Sequence, residues 1–171
     1  LAYVYCNLKK WNKALPLLEK VANNGYYSLI ESDKVQYKNN SECILGFELY
    51  ELQTRSVSAD EKSCCPCLDY KDVLLTTAEC LYHTGNKAKA KELVDFICKK
   101  KSIKIDESDV LMSIARLKYK LQSPNYLTFI RRNNLGVSFM GLKENQTYQL
   151  LWPIPSSECA SNPCITQNPG Y

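Results

Sequence analysis

The strongest constraint on the fold is a helical-hairpin pattern that occurs twice, at an offset of 76 residues. Leu1, Val4, Tyr5 and Leu8 fall on one helical face, and after Lys9-Lys10-Trp11-Asn12 a second face follows in Ala14, Leu15, Leu18, Val21 and Ala22. Asn23-Asn24-Gly25 then reads as a helix stop, because Asn and Gly accept the left-handed conformation that ends a helix. The second copy has Val73, Leu74, Leu75, Ala78, Leu81 and Tyr82 on its first face, Thr84-Gly85-Asn86 as its turn, and Ala90, Leu93, Val94 and Ile97 on its second face. Ala2 matches Ala78, Tyr5 matches Leu81 and Ala14 matches Ala90, and such alanines let paired helices approach closely. Pro16 is placed near the first turn of its helix, where a missing N–H costs least. Two hairpins are too few for a free-standing solenoid, so they are expected to pack on other parts of the protein.

Between the hairpins the texture changes. Tyr26–Ile30 is short and aromatic, and Ser41–Gln53 alternates Cys43, Leu45, Phe47 and Leu49 against Ile44, Gly46, Glu48 and Tyr50, which favours a strand over a helix. Arg55–Lys62 is polar and reads as a loop. After Lys101, a further helix is expected: Asp106, Glu107 and Asp109 suit its N-terminus, Val110, Leu111, Ile114, Leu117 and Leu121 mark its buried face, and Ser123-Pro124-Asn125 ends it. The fold class is therefore mainly α, with helical hairpins, a short strand-like insert and, over 150–171, an extended tail.

The tail, LWPIPSSECASNPCITQNPGY, holds Pro153, Pro155, Pro163 and Pro169, which argue against a regular helix or a central strand. Leu150, Leu151, Trp152, Ile154 and Ile165 supply more apolar surface than a solvated linker carries. The tail is expected to lie over the hairpins, with Trp152 packed among its apolar neighbours.

The chemistry-bearing residues exclude more than they propose. No apolar run approaches the roughly 20 residues of a membrane-crossing helix. The net charge is only +4, and the basic run Lys99-Lys100-Lys101 with Lys104 reads as a solvated helix end rather than a nucleic-acid surface. Of nine cysteines, Cys6, Cys43, Cys80 and Cys98 fall at apolar positions where a thiol acts as a small hydrophobe. Cys159 and Cys164 are close enough in sequence to form a short bridge. Cys64-Cys65-Pro66-Cys67 has a zinc-ligand or dithiol spacing but lacks a second such pair, and it reads as loop cysteines. His83 is the only histidine and sits where it would cap a helix end, so a catalytic Cys–His or Ser–His–Asp set has little to draw on. No catalytic, cofactor-binding or metal-binding residue is assigned. Trp11 and Trp152 are the aromatic candidates for stacking on a sugar ring, although both read first as packing residues.

Several stretches resemble one family in order and spacing. Pro153-Ile154-Pro155, Glu158, Asn162-Pro163 and the terminal Thr166-Gln167-Asn168-Pro169-Gly170-Tyr171 resemble the C-terminal signature of the SusD/RagB family. Gly25-Tyr26-Tyr27-Ser28-Leu29, Ser41-Glu42-Cys43-Ile44, and Tyr70-Lys71-Asp72-Val73-Leu74-Leu75 with Ala78-Glu79 are similar to further family segments, as is Tyr126–Gly136. The arginine- and glutamate-rich run of the family appears only as Ala115–Leu121 followed by Ser-Pro-Asn. Its Glu and Gly positions are lost, so the polar network of family members is expected to be absent or replaced.

The resemblance implies a surface-exposed outer-membrane lipoprotein of Bacteroidetes, mostly helical and built on tetratricopeptide-like hairpins. It would be non-catalytic and would capture glycans or other nutrients for a SusC-like TonB-dependent transporter. It would be held to the membrane by an N-terminal lipid anchor, with no nucleic-acid partner. On this reading residues 1–171 are one C-terminal domain of a longer protein, with hairpins at about 1–25 and 72–101. Its ligand-binding residues are unassigned, since the family's site draws on variable loops and N-terminal parts. A helical-repeat interaction scaffold without sugar binding is the alternative, and a cysteine-based metal or redox protein is a further one.

Overall fold

A computed structural model describes residues 1–31, 41–48, 64–106 and 108–171; at 47–48 and 64–66 it describes the backbone alone. The described residues are mainly helical, with one small antiparallel sheet. They form two compact units, Leu1–Tyr126 and Leu127–Tyr171.

In the first unit, α1 (Ala2–Asn7) and α2 (Trp11–Ala22) make one hairpin, and α3 (Tyr70–His83) and α4 (Lys87–Lys100) make the next. The 76-residue repeat extends to the backbone of the turns. Lys9 and Lys10 donate to the carbonyls of Cys6 and Tyr5, just as Gly85 and Asn86 donate to those of Tyr82 and Leu81. Lys9 and Gly85 occupy the matched left-handed position, at φ 54° and 90°. Ala14 and Ala90, the matched small residues, are both fully buried. α5 (Val110–Lys120) packs on α3 and α4. It is capped by Asp109, whose carboxylate accepts the Met112 N–H.

α3 lies at the centre of this unit, and every residue from Tyr70 to Leu81 is buried. α2 covers one side, and α4 and α5 cover another. Against α1 and α2 it presents Val73 and Cys80, which pack with Cys6, Ala14 and Leu18. Pro16 lies deeper in its helix than expected, in the second turn of α2. Both Pro16 and Asn12, whose carbonyl loses its helical donor there, are exposed, so the cost of the missing bond is borne on a face open to water.

The insert contributes β1 (Cys43–Glu48) and β2 (Cys64–Asp69), paired antiparallel. The Cys64-Cys65-Pro66-Cys67 segment is thus a strand and not the loop expected. Among the described residues β2 pairs on one side only, an edge position where a strand accommodates proline. The expected loop at Arg55–Lys62, Glu107, and the end of the alternating run beyond Glu48 lie outside the described residues.

In the second unit, the helix α6 begun at Tyr126 runs on to Arg132, a 3-10 helix covers Glu144–Leu150, and α7 spans Ser156–Ser161. Phe129, Ile130, Leu135 and Leu150 are buried, and any side chain at Gly136 would crowd Leu150, its Cβ falling 3.0 Å from a Leu150 methyl. α7 corrects the expectation of a helix-free tail. Pro155 stands just before the helix and Pro163 after it, so the six helical residues lose no hydrogen bond to proline.

Candidate functional site

The densest chemistry in the first unit is gathered at the N-terminal end of α3. Asp69 caps that helix, accepting the Asp72 N–H at 2.8 Å. One turn in, the Asp72 carboxylate is fully buried and receives four donors. Lys118 Nζ at 2.5 Å and the Ser123 hydroxyl reach Oδ1, while the Tyr3 hydroxyl at 2.7 Å and Asn125 Nδ2 at 2.9 Å reach Oδ2. Burial pushes the Asp72 carboxyl upward, but the Lys118 ammonium and the hydrogen bonds from Lys118, Ser123 and Tyr3 outweigh it. They hold the group well below the usual carboxylate range. Burial, reinforced by the Asp72 charge, drives the Tyr3 phenol well above its ordinary value, so it stays a donor. A polar network therefore stands at this end of α3. Lys118 of the Ala115–Leu121 run and the Ser-Pro-Asn that follows supply it.

A second cluster adjoins the first. Glu42, just before β1, is fully buried and pairs with Lys101 at 2.7 Å. Lys71 stands between Glu42, at 3.9 Å, and Asp69, at 3.2 Å. Burial is the main influence on Asp69 and raises its carboxyl, with Lys71 opposing. Lys101 is accordingly not part of a solvated helix end; it closes the last turn of α4 onto the insert. Glu42 also accepts the Ile30 N–H at 3.2 Å, its carbonyl accepts the Tyr70 N–H at 2.7 Å, and Ser28 and Ser41 bond through backbone and side chain. Across the two clusters the Lys118, Lys71 and Lys101 ammonium groups thus stand beside the Asp72, Asp69 and Glu42 carboxylates, an arrangement that ties segments together.

The singled-out residues fall elsewhere. His83 stacks on Trp11, ring centroids 4.2 Å apart and planes within 11°, while the Thr84 hydroxyl bonds the Cys80 carbonyl at the helix end. Trp11 is thus a packing residue, partly buried against the hairpin core. Cys98 borders a cleft with Val94, Asp95, Asp106, Val110 and Ser113, but burial, followed by the Asp95 charge, pushes its thiol up and away from the reactive thiolate. Cys159 and Cys164 carry separate thiols. Among the described residues, no three metal-ligating side chains converge, and no helix is long and apolar enough to cross a membrane.

In the second unit the C-terminal motif closes a loop. The Gln167 amide accepts from Ile154 N and donates to Ile154 O, both at 2.8 Å, Asn168 Nδ2 donates to the Trp152 carbonyl at 2.6 Å, and the Tyr171 hydroxyl donates to the Leu151 carbonyl at 2.9 Å. The prolines deprive this stretch of ladder partners, and the Gln and Asn amides take their place. The Tyr171 ring meets Tyr148 edge-on at 5.0 Å. Gly170, at φ +98°, lies where a Cβ would overlap the Tyr148 ring. Gly170→Ala is expected to cost the loop about 2 kcal/mol, read as faster amide exchange at Ile154 and Asn168; unchanged exchange would show the close approach to be unimportant. Trp152 departs from expectation: held by its carbonyl, it leaves its ring 80% exposed.

No protein-family model matches the chain, and no curated protein or solved structure matches it significantly.

Proposed function

We propose that the chain is the C-terminal part of a non-catalytic, surface-exposed nutrient-binding lipoprotein of the SusD/RagB type, which captures glycans or other nutrients for a TonB-dependent outer-membrane transporter. The observation that supports this reading is where the resembling segments meet. Ser28 of the first, Ser41-Glu42 of the second and Tyr70-Lys71 of the third bond one another around the N-terminus of α3, although the sequence separates them. The terminal Gln-Asn-Pro-Gly-Tyr binds back on Leu151–Ile154. Residues that carry the resemblance are thus those that hold the fold, which is how a signature persists while ligand contacts vary.

Trp152 is the candidate contact, because an exposed indole on a pinned loop offers a flat apolar face to a pyranose. Calorimetric titration of the full-length protein against an oligosaccharide panel, together with co-purification of a β-barrel transporter, tests the reading. Trp152→Ala is expected to weaken oligosaccharide binding about tenfold with no change in Tm beyond about 1 °C, since an exposed side chain contributes little to stability. Absence of any oligosaccharide or nutrient ligand and of any transporter would sink the proposal.

A helical-repeat interaction scaffold is the second reading. It is favoured by the exposed stripe Leu1, Val4 and Leu8 along α1, a face suited to another helix. It predicts a protein partner and no affinity for oligosaccharide.

A further inference from the structure

The core between the helical hairpins holds a chemical pair that neither scaffold packing nor ligand capture requires. Cys6 on α1 and Cys80 on α3 are both fully buried, and their sulfur atoms stand 3.5 Å apart. The side chains packed around them are aliphatic and aromatic, so the pair brings the only thiols to that cluster as described. Tyr3 meets Asp72 and Cys6 meets Cys80, so α1 and α3 run in the same direction and the two thiols lie at the far end of their contact from the polar cluster. We propose that Cys6 and Cys80 are a disulfide-forming site, which staples α1 to the central helix when the protein meets a thiol–disulfide oxidant.

The sulfurs need to close by roughly 1.5 Å to reach bonding distance, a movement within the reach of side-chain rotation. The oxidant is a disulfide, either a small molecule such as oxidised glutathione or a protein dithiol oxidase. The thiolate of one cysteine attacks it, forming a mixed disulfide and expelling one oxidant thiolate. The thiolate of the other cysteine then displaces the second oxidant thiolate. Two protein S–H bonds and the S–S bond of the oxidant are lost; one protein S–S bond and two oxidant S–H bonds are made, the two protons from the cysteines passing to the expelled thiolates and two electrons reducing the oxidant to its thiol form.

Because both sulfurs are buried, the first step needs α1 to open. α1 has only six residues, and so short a helix is held by its packing rather than by its own propensity. Oxidation is therefore expected to be slow in the folded protein and faster during folding. Once formed, the bond closes a long loop through the insert, and loops of that size restrict the unfolded chain strongly.

The test is a disulfide map of the full chain. Protein refolded in a glutathione redox buffer is blocked with a maleimide, digested with trypsin and compared with and without reductant. The expected product joins the peptide ending at Lys9 to the one spanning Asp72–Lys87, which contain Cys6 and Cys80 as their sole cysteines. Its formation should raise Tm by about 5–15 °C, reversibly on reduction, and Cys80→Ala should abolish the rise. Recovery of both peptides as maleimide adducts only after denaturation, or of Cys6 bonded to a different cysteine, overturns the proposal. So does a Tm rise that persists in Cys80→Ala. The wild-type map decides the matter even where a variant folds poorly.

Discussion

Asp72→Ala is expected to destabilise the first unit by about 3–5 kcal/mol, because it strands the Lys118 ammonium in the interior without its carboxylate. For a domain whose whole stability is on the order of 5–15 kcal/mol, that is a large share, and it corresponds to a Tm drop of about 6–20 °C. Lys118 is fully buried, and Tyr3, Ser123 and Asn125 also lose their acceptor, so water has little access to repair the loss. Replacing both charges, as in Asp72→Leu with Lys118→Met, should recover much of the stability, since two apolar side chains need no partner. Equal damage from the single and double variants would show that the neutral donors, and not the ion pair, carry the effect.

The same carboxylate sets an acid limb. Its folded pKa lies below its unfolded value, so its contribution is present above the unfolded pKa of about 4 and is lost as pH falls through the folded value. Asp69, raised by burial, contributes with the opposite sign, but Asp72 has the more strongly held charge and fixes the net direction. Asp72→Asn should therefore remove most of the drop in Tm between pH 5 and pH 2.5. An acid limb unchanged in that variant would place the titrating group elsewhere.

The helices could be read from their apolar spacing because that spacing is imposed locally, by one face meeting a neighbour; α1 is the exception, since the face read there, Leu1, Val4 and Leu8, is exposed and Cys6 is the residue it buries. Even the two hairpins' shared turn geometry follows from matched positions such as Ala14 and Ala90. The burial of Lys101, Lys118 and Glu42 was not legible in this way. A lysine within a basic run near a helix end has the same sequence signature whether its amine reaches water or a carboxylate 59 residues away, as the Lys101–Glu42 contact does. One signal did exist: Glu42 and Asp72 each directly precede apolar residues, and a charged residue so placed invites a search for its counter-ion. For the tail the limit was different. Proline spacing excludes ladders correctly, but a one-and-a-half-turn helix such as α7 fits between two prolines, and the outward turn of Trp152 depends on the amide of Asn168, which is sixteen residues away.

Glu42→Leu should be the more damaging member of a second pair, ahead of Lys101→Met. Removing Glu42 leaves Lys101 buried without its carboxylate, withdraws the acceptor from Ile30 N and leaves Lys71 with Asp69 alone of the two carboxylates near it. Removing the Lys101 amine leaves Glu42 with the Ile30 N–H and with Lys71 at 3.9 Å, so part of its compensation survives. We expect losses of about 4 and about 2 kcal/mol in chemical denaturation. The pair lies where the strand insert joins the hairpins, so the Glu42 variant should also speed amide exchange at Ser28 and Ile30, while the interior of α4 keeps its protection. Because both partners are buried, added salt should change these losses little, whereas a surface pair would be screened. A Lys101→Met cost equal to or greater than that of Glu42→Leu would mean that Lys71 does not share the Glu42 charge, and that the two clusters at the head of α3 are energetically separate.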